Sequence, residues 1–208
     1  MARRAPLAPS DPRKGVHGRQ ITSAFFQRDP LRCARELIGT TLIWGECAGI
    51  VVEAEAYFSE NDEACHTFFR PSTRAFVERN RAGAAYIYLN YGVHWMLNAL
   101  VKGGTADGFV LIRALEPLAG IELMQARRGT MDTRSLCSGP GKLTQALGIT
   151  NADHERDLCS DPHHSFHASD LSADVVADER IGITRAADLP WRFTLRGSKF
   201  VSRAVKMK

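Results

Sequence analysis

The chain has 208 residues, 44% hydrophobic and 24% charged, a composition that suits one globular domain with a sizeable core. No stretch approaches the roughly 20 apolar residues needed to span a bilayer, and the N-terminus lacks the apolar segment of a secretory signal. Its five cysteines (33, 47, 65, 137 and 159) are scattered and show no Cys-x-x-Cys spacing, so neither a disulfide framework nor a cysteine-rich zinc site is indicated.

The expected location is therefore intracellular: cytoplasm and nucleoid in a bacterium, nucleus in a eukaryote. The net charge of +4 is unevenly spread. Residues 1–35 carry eight Lys/Arg against two acids, residues 36–190 thirteen against twenty-one, and residues 191–208 six against none. Basic ends around an acidic middle can supply a phosphate-binding surface if they meet on one side of the fold, or they can simply be solubilising tails.

In chain order, residues 1–20 read as a flexible basic arm, because Arg3, Arg4, Pro6, Pro9, Pro12, Arg13 and Lys14 offer little to bury. Residues 21–208 are expected to form the single folded domain. Asp29-Pro30 predicts a capped helix that Gly39 stops, with strands following at 40–44 and 49–57. Ser59 reads as the cap of a helical turn through Glu63. Residues 67–85, with Arg70, Arg74, Arg79 and Arg81, read as a long loop facing solvent or a charged partner.

Residues 86–98 predict two strands hinged at Tyr91-Gly92. Phe109 to Ile112 predicts a strand running into Arg113. Glu116-Pro117 is expected to open a helix through Arg127-Arg128, ended by Gly129. Ser138-Gly139-Pro140-Gly141 predicts a tight turn opening a helix from Lys142 to Leu147. Residues 151–190 are acidic and poor in pattern until Val175-Val176, and Arg192–Ser198 predicts a closing strand and turn. Strand pairs with separated helices favour an α+β fold, a single compact domain with a mainly antiparallel sheet.

Two constellations carry chemistry. In Val52-Glu53-Ala54-Glu55-Ala56-Tyr57 the strand period puts Glu53, Glu55 and Tyr57 on one face. The two carboxylates are then roughly 6.6 Å apart at Cα, close to the separation in inverting sugar hydrolases, roughly 6.5 to 9.5 Å. A solvated strand face would look the same, but Tyr57 on that face and Arg113 at the end of another strand favour an ionised carboxylate acting as general base. In Tyr86-Ile87-Tyr88-Leu89-Asn90-Tyr91-Gly92, Tyr86 and Tyr88 would face a cleft, and Tyr91 sits at a hairpin tip where it has little core to enter.

Other features are weaker. His163-His164-x-x-His167 lies in a polar stretch without matched cysteines, so no metal site is proposed, and no cofactor is implied. Gly139-Pro140-Gly141-Lys142 fails the Walker pattern but leaves a lysine beside a helix start, a seat for a single phosphate.

Taken in order, Val52–Tyr57, Asp62–His66, Tyr86–Gly92 with Asn98, Leu111–Pro117 and Leu136–Pro140 resemble the alkyladenine (3-methyladenine) DNA glycosylases of the methylpurine type, from about Asp29 to Ser202. The resemblance implies an α+β domain with a curved antiparallel sheet and a protruding hairpin. It also implies a substrate, double-stranded DNA holding a damaged purine, met by a monomer with no membrane partner. By position, Glu55 is similar to the family's general base and Arg113 to its neighbouring arginine. Tyr57, His66, Tyr88 and Asn98 are similar to the base pocket, and Tyr91 to the residue that replaces the extruded nucleotide. Arg70, Arg74 and Lys142 are candidate contacts to the DNA backbone.

The implied reaction is extrusion of the base, attack of a Glu55-activated water at deoxyribose C1′, and release of the free base with the strand intact. The residues alone leave two alternatives: a carbohydrate hydrolase using Glu53 with Glu55, and a non-catalytic nucleic-acid-binding module.

Overall fold

The computed structural model describes residues 18–170 and 172–205, so nearly all of the expected basic arm lies outside the described residues. Among these, the chain forms α1 (Ser23–Phe26), α2 (Pro30–Leu37), β1 (Thr41–Trp44), β2 (Cys47–Phe58), α3 (His66–Phe69), α4 (Pro71–Arg79), β3 (Ala85–Asn90) and β4 (His94–Val101). There follow β5 (Gly108–Ala119), α5 (Ile121–Arg128), α6 (Pro140–Leu147), β6 (His164–His167), β7 (Val175–Asp178) and β8 (Arg192–Leu195). The α2 cap is the expected one: Asp29 accepts from the Leu31 and Arg32 N–H groups, with Pro30 at the first helical position.

The strands form one curled antiparallel sheet in the order β3-β4-β5-β2-β1-β6, with β8 pairing both β2 and β7, and the fold is α+β. β2 is the axis. Along its far edge it pairs first with β1 and then, at Glu53–Glu55, with β8, while β5 runs along the other edge. One face of the sheet packs α2 and α6 through Cys33, Ala34, Leu37, Leu143, Ala146 and Leu147 against Ala54, Ala56, Leu97 and Ile112. A smaller cluster of Cys65, Phe76, Tyr86, Leu100 and Phe109 lies on the opposite face, with Tyr57 and Tyr88 packed against it.

Three expectations need correction. The stretch 67–85 is not one loop, because α3 and α4 occupy much of it. Thr73, Phe76 and Val77 are buried at helical spacing, a period that Arg74 among them and Arg70 and Arg79 around them obscure, and Pro71 opens α4. No helical turn runs from Ser59 to Glu63; instead Asp62 accepts from the Phe58 and Ala64 N–H groups and forms a polar turn. Glu116 and Pro117 do not begin a helix but continue β5. Pro117 faces Gly49 at a register shift, where a missing ladder N–H costs little, and α5 starts only after Gly120 at φ 69°. The acidic 151–190 stretch also holds a strand that the pattern did not reveal, β6, carrying His164 and His167.

Candidate active site

Register brings the residues together. Tyr86 pairs with Asn98, Asn98 with Leu111 and Leu111 with Glu55, so one row crosses four adjacent strands on a single face. Tyr57 pairs with Phe109 in the next row. Above these rows opens a cavity of about 680 Å³, within the usual range for a small-ligand site. Tyr57, His66, Tyr88, Asn98, Tyr91, Arg70 and Arg113 all line it, as does the 181–185 segment.

Glu55 does not line the cavity. Its side chain is fully buried, directly behind three groups that do. Its Oε2 accepts from the Tyr57 hydroxyl at 2.8 Å and from Arg113 Nη1 at 3.2 Å, and its Oε1 accepts from the Ile181 N–H at 2.7 Å. Three donors occupy three of the roughly four acceptor directions of a carboxylate, and the fourth, on Oε1, takes no hydrogen bond from the protein. Burial pushes the Glu55 carboxyl up, against the opposing pull of Arg113, the Ile181 amide and Tyr57. Burial also disfavours charge on Arg113, but Glu55 and Glu53 outweigh it and hold the guanidinium charged.

Glu53 shares the face yet has a different environment. Its oxygens accept from Arg113 Nε (3.0 Å), Arg192 Nη1 (3.2 Å), the Ser202 hydroxyl (2.8 Å) and the Ser202 N–H (2.6 Å). With four donors on it, two of them arginines, and no place on the cavity lining, Glu53 anchors the arginines rather than serving as a second catalytic acid, which counts against a two-carboxylate sugar hydrolase. The strand period predicts both carboxylates on an open cleft face; both are buried, because Tyr57, Arg113 and the Ile181 segment cover Glu55 on that face and Arg113, Arg192 and Ser202 cover Glu53.

The walls are rings. His66 and Tyr88 pack with centroids 4.2 Å apart, and His66 Nδ1 lies 3.0 Å from the Tyr86 hydroxyl. Burial, with Arg70 nearby, lowers His66 to about 4, so the imidazole is neutral at physiological pH. Arg70 stands at the mouth, 5.5 Å from the Phe69 centroid and 5.8 Å from that of Tyr88. Asn98 is buried, and its Nδ2 donates to the Tyr86 carbonyl. Tyr91 sits at the β3–β4 turn at φ 50°, followed by Gly92 at φ 70°, and its side chain is 87% exposed.

Arg74 and Lys142 do not line the cavity. Arg74 donates to the Thr67 carbonyl, and Lys142, exposed, reaches Ser138. Sequence reasoning missed the Ile181 amide, Arg180 and its partner Asp62, Ser202, and Phe69. Of these Asp62 opens the Asp62–His66 motif and Phe69 follows it by one helical turn; the others come from segments without period.

A ring-walled slot with a neutral imidazole, arginines on its lining and a shielded carboxylate behind it suits a flat aromatic ligand and water activation beside it. Among the described residues no group of three or more His, Cys, Asp or Glu side chains could hold a metal ion, and no helix is long and apolar enough to cross a membrane.

Comparison with known proteins gives a consistent result. Residues 24–199 match the sequence model of the family described as methylpurine-DNA glycosylase. A Rhodopseudomonas palustris (strain CGA009) protein named "Putative 3-methyladenine DNA glycosylase" is 46% identical over 200 residues, 96% of either chain. Proteins of the same name from Nitrobacter winogradskyi (45% over 197 residues, 95% of this chain and 94% of the other) and Agrobacterium fabrum (44% over 184 residues, 88% and 93%) are similar to it as well.

Proposed function

The chain belongs to the methylpurine-DNA glycosylase family and is a DNA N-glycosylase of alkylated-base repair; from that premise we propose that it hydrolyses the N-glycosidic bond of damaged purines with a water activated by Glu55. The observation that carries the reading is the Glu55 carboxylate, fixed by Arg113, Tyr57 and the Ile181 N–H immediately behind a cavity walled by His66, Tyr57 and Tyr88.

A stacked base is out of reach of such a carboxylate, so the nucleotide must swing out, at a cost of a few kcal/mol that is smallest for a damaged base. Stacking on aromatic rings offsets it by about 1 to 3 kcal/mol per base. Tyr91, at the exposed hairpin tip, fills the gap left in the duplex, and Arg70, Arg74 and Lys142 meet backbone phosphates. With C1′ at the cavity floor, the water reaches the remaining acceptor direction of Glu55 once the covering Tyr57, Arg113 or Ile181 segment gives way on substrate binding, and the Glu55 charge also favours the cation-like sugar of the transition state. The family's Asn98 position bounds the pocket edge against normal guanine.

The substrate range we propose is 3-methyladenine, 7-methylguanine, hypoxanthine and ethenoadenine. The first two carry a positive charge while attached, take the electrons of the glycosidic bond as it breaks and depart as neutral bases without needing a proton, whereas the uncharged damaged bases need a proton or hydrogen bond from the pocket. No lysine stands beside Glu55, so the product is a free base and an intact strand bearing an abasic site. The enzyme acts as a monomer, inside the cell where DNA lies.

The test is incubation with duplexes that each carry one modified purine, followed by chromatography for free base. Glu55→Gln is expected to stop base release while sparing binding to the lesion duplex. Turnover by Glu55→Gln removes Glu55 from its role.

A further inference from the structure

We infer that the buried Asp62–Arg180 ion pair is the positioning device of this site, holding both the loop whose Ile181 amide grips Glu55 and the Tyr57 ring that walls the cavity. The inference rests on Glu55 being the general base.

Both side chains of the pair are fully buried. Arg180 Nη1 donates to Asp62 Oδ2 at 2.6 Å and Nη2 to Oδ1 at 2.8 Å, a two-pronged match that only a planar guanidinium makes. The same nitrogens donate to the Ala56 carbonyl at 3.1 Å, at the end of β2, and to the Ala186 carbonyl at 3.2 Å. The guanidinium plane lies between rings, 4.5 Å from the Tyr57 centroid and 4.9 Å from that of Trp191. Asp62 meanwhile accepts from the Phe58 and Ala64 N–H groups. One ion pair thus ties together β2, the turn before α3, the 181–186 loop and the wall ring.

The loop needs an anchor. Residues 181–185 line the cavity without helix or strand, and the loop ends at Ala186 with φ 46°, a left-handed conformation that costs a residue with a Cβ. Arg180 closes the loop on itself by reaching that residue's carbonyl. Immediately after Arg180 in the chain, the Ile181 N–H meets Glu55 Oε1 at 2.7 Å. Since that amide favours the ionised carboxylate, its position sets both the aim of the base and the ease with which it loses its proton.

Buried ion pairs are weak sources of net stability, so mere packing does not account for so specific a fork. A device of this kind predicts a defect in the chemical step that binding does not share.

The experiment compares wild type, Arg180→Lys and Asp62→Asn, each also with Glu55→Gln. It measures the single-turnover release of 3-methyladenine from methylated duplex across pH, and affinity for a duplex holding an abasic-site analogue. Arg180→Lys keeps the charge but loses the fork. Its release rate is expected to fall by about tenfold or more with affinity within about threefold of wild type, the scale of a small misplacement of a reacting group. Its acidic limb moves to higher pH, and Asp62→Asn shifts rate and limb in the same direction.

A wild-type rate and limb in both variants overturns the inference, as does a rate loss matched by an affinity loss with the limb unmoved. Failure of both variants to fold overturns it too, because the pair is then a folding element. Release by Glu55→Gln in the wild-type background instead overturns the general-base reading. Absence of that release, with the limb unmoved in the pair variants, leaves Glu55 in place and removes only Asp62–Arg180.

Discussion

Glu55 is an acid kept in conditions that oppose its ionisation, and that has a readable consequence. Burial raises its carboxyl, with Arg113, the Ile181 amide and Tyr57 pulling the other way. A general base acts only when ionised, so base release rises with pH as the medium passes through that raised value. The acidic limb of the single-turnover profile is therefore expected above the ordinary glutamate range near about 4.3, and a limb at or below it contradicts the buried carboxylate. His66, lowered to about 4 by burial, stays neutral over the same span, so His66→Gln should leave the shape of the pH dependence of lesion binding between about pH 6 and 8 unchanged. Asp62→Ala strands the Arg180 charge in the interior and should cost about 3 to 5 kcal/mol in denaturant unfolding. Part of this site was legible as sequence, because a period of two assigns Glu55, Tyr57 and Tyr88 to faces without knowledge of the fold, while Asn98, His66 and the role of Arg113 came from the resemblance to the family. The Ile181 and Arg180 contacts were not, since they join residues 126 and 118 positions apart through a loop with no pattern.

Among the elements, the β3–β4 hairpin couples strain to exposure. Tyr91 and Gly92 both have positive φ, the combination that follows the twist of paired strands in a tight hairpin. Glycine adopts it freely, whereas tyrosine gives up roughly 1 kcal/mol or more. A ring held there at 87% exposure contributes nothing visible to the core. Tyr91→Asn, which tolerates the conformation, is expected to hold or raise thermal stability by up to about 1 kcal/mol. The same change should weaken binding to lesion-containing duplex more than to single strand; equal losses on the two argue against a wedge. The hairpin was readable from Tyr91-Gly92 between alternating strands. The α3–α4 pair was not, because its buried positions Thr73, Phe76 and Val77 are interrupted by Arg74 and flanked by Arg70 and Arg79, which look like loop surface. Pro117 misled for another reason: a proline usually marks a strand's end, and here a register shift opposite Gly49 accommodates it inside one.

For the whole molecule, charge and topology divide the work. The basic ends seen in the sequence flank a domain whose interior holds Arg113, Arg180 and Arg192 against Glu53, Glu55, Asp62 and Asp178. Internal arginines so matched cannot serve phosphates, so attraction to DNA falls to the surface and the termini. We propose that residues 1–17, with Arg3, Arg4, Arg13 and Lys14, add affinity without entering the chemistry. Their removal should flatten the dependence of log affinity on log salt, by up to about 0.9 for each phosphate they would otherwise neutralise, and leave the single-turnover rate unchanged. An unchanged slope makes them a solubilising tail.

The forked pairing of β2 carries its own consequence. At Glu53 and Glu55 the strand is laced to β5 on one edge and to β8 on the other. Amide protons there have no route to solvent short of large-scale opening, so in deuterated buffer they should be among the last to be replaced. Those of residues 182–185, outside any ladder, should be replaced early, while the Ile181 amide, held on buried Glu55, should lag behind its loop neighbours: the proton-accepting group rides on a slowly opening strand and marks the one loop amide that shares its protection.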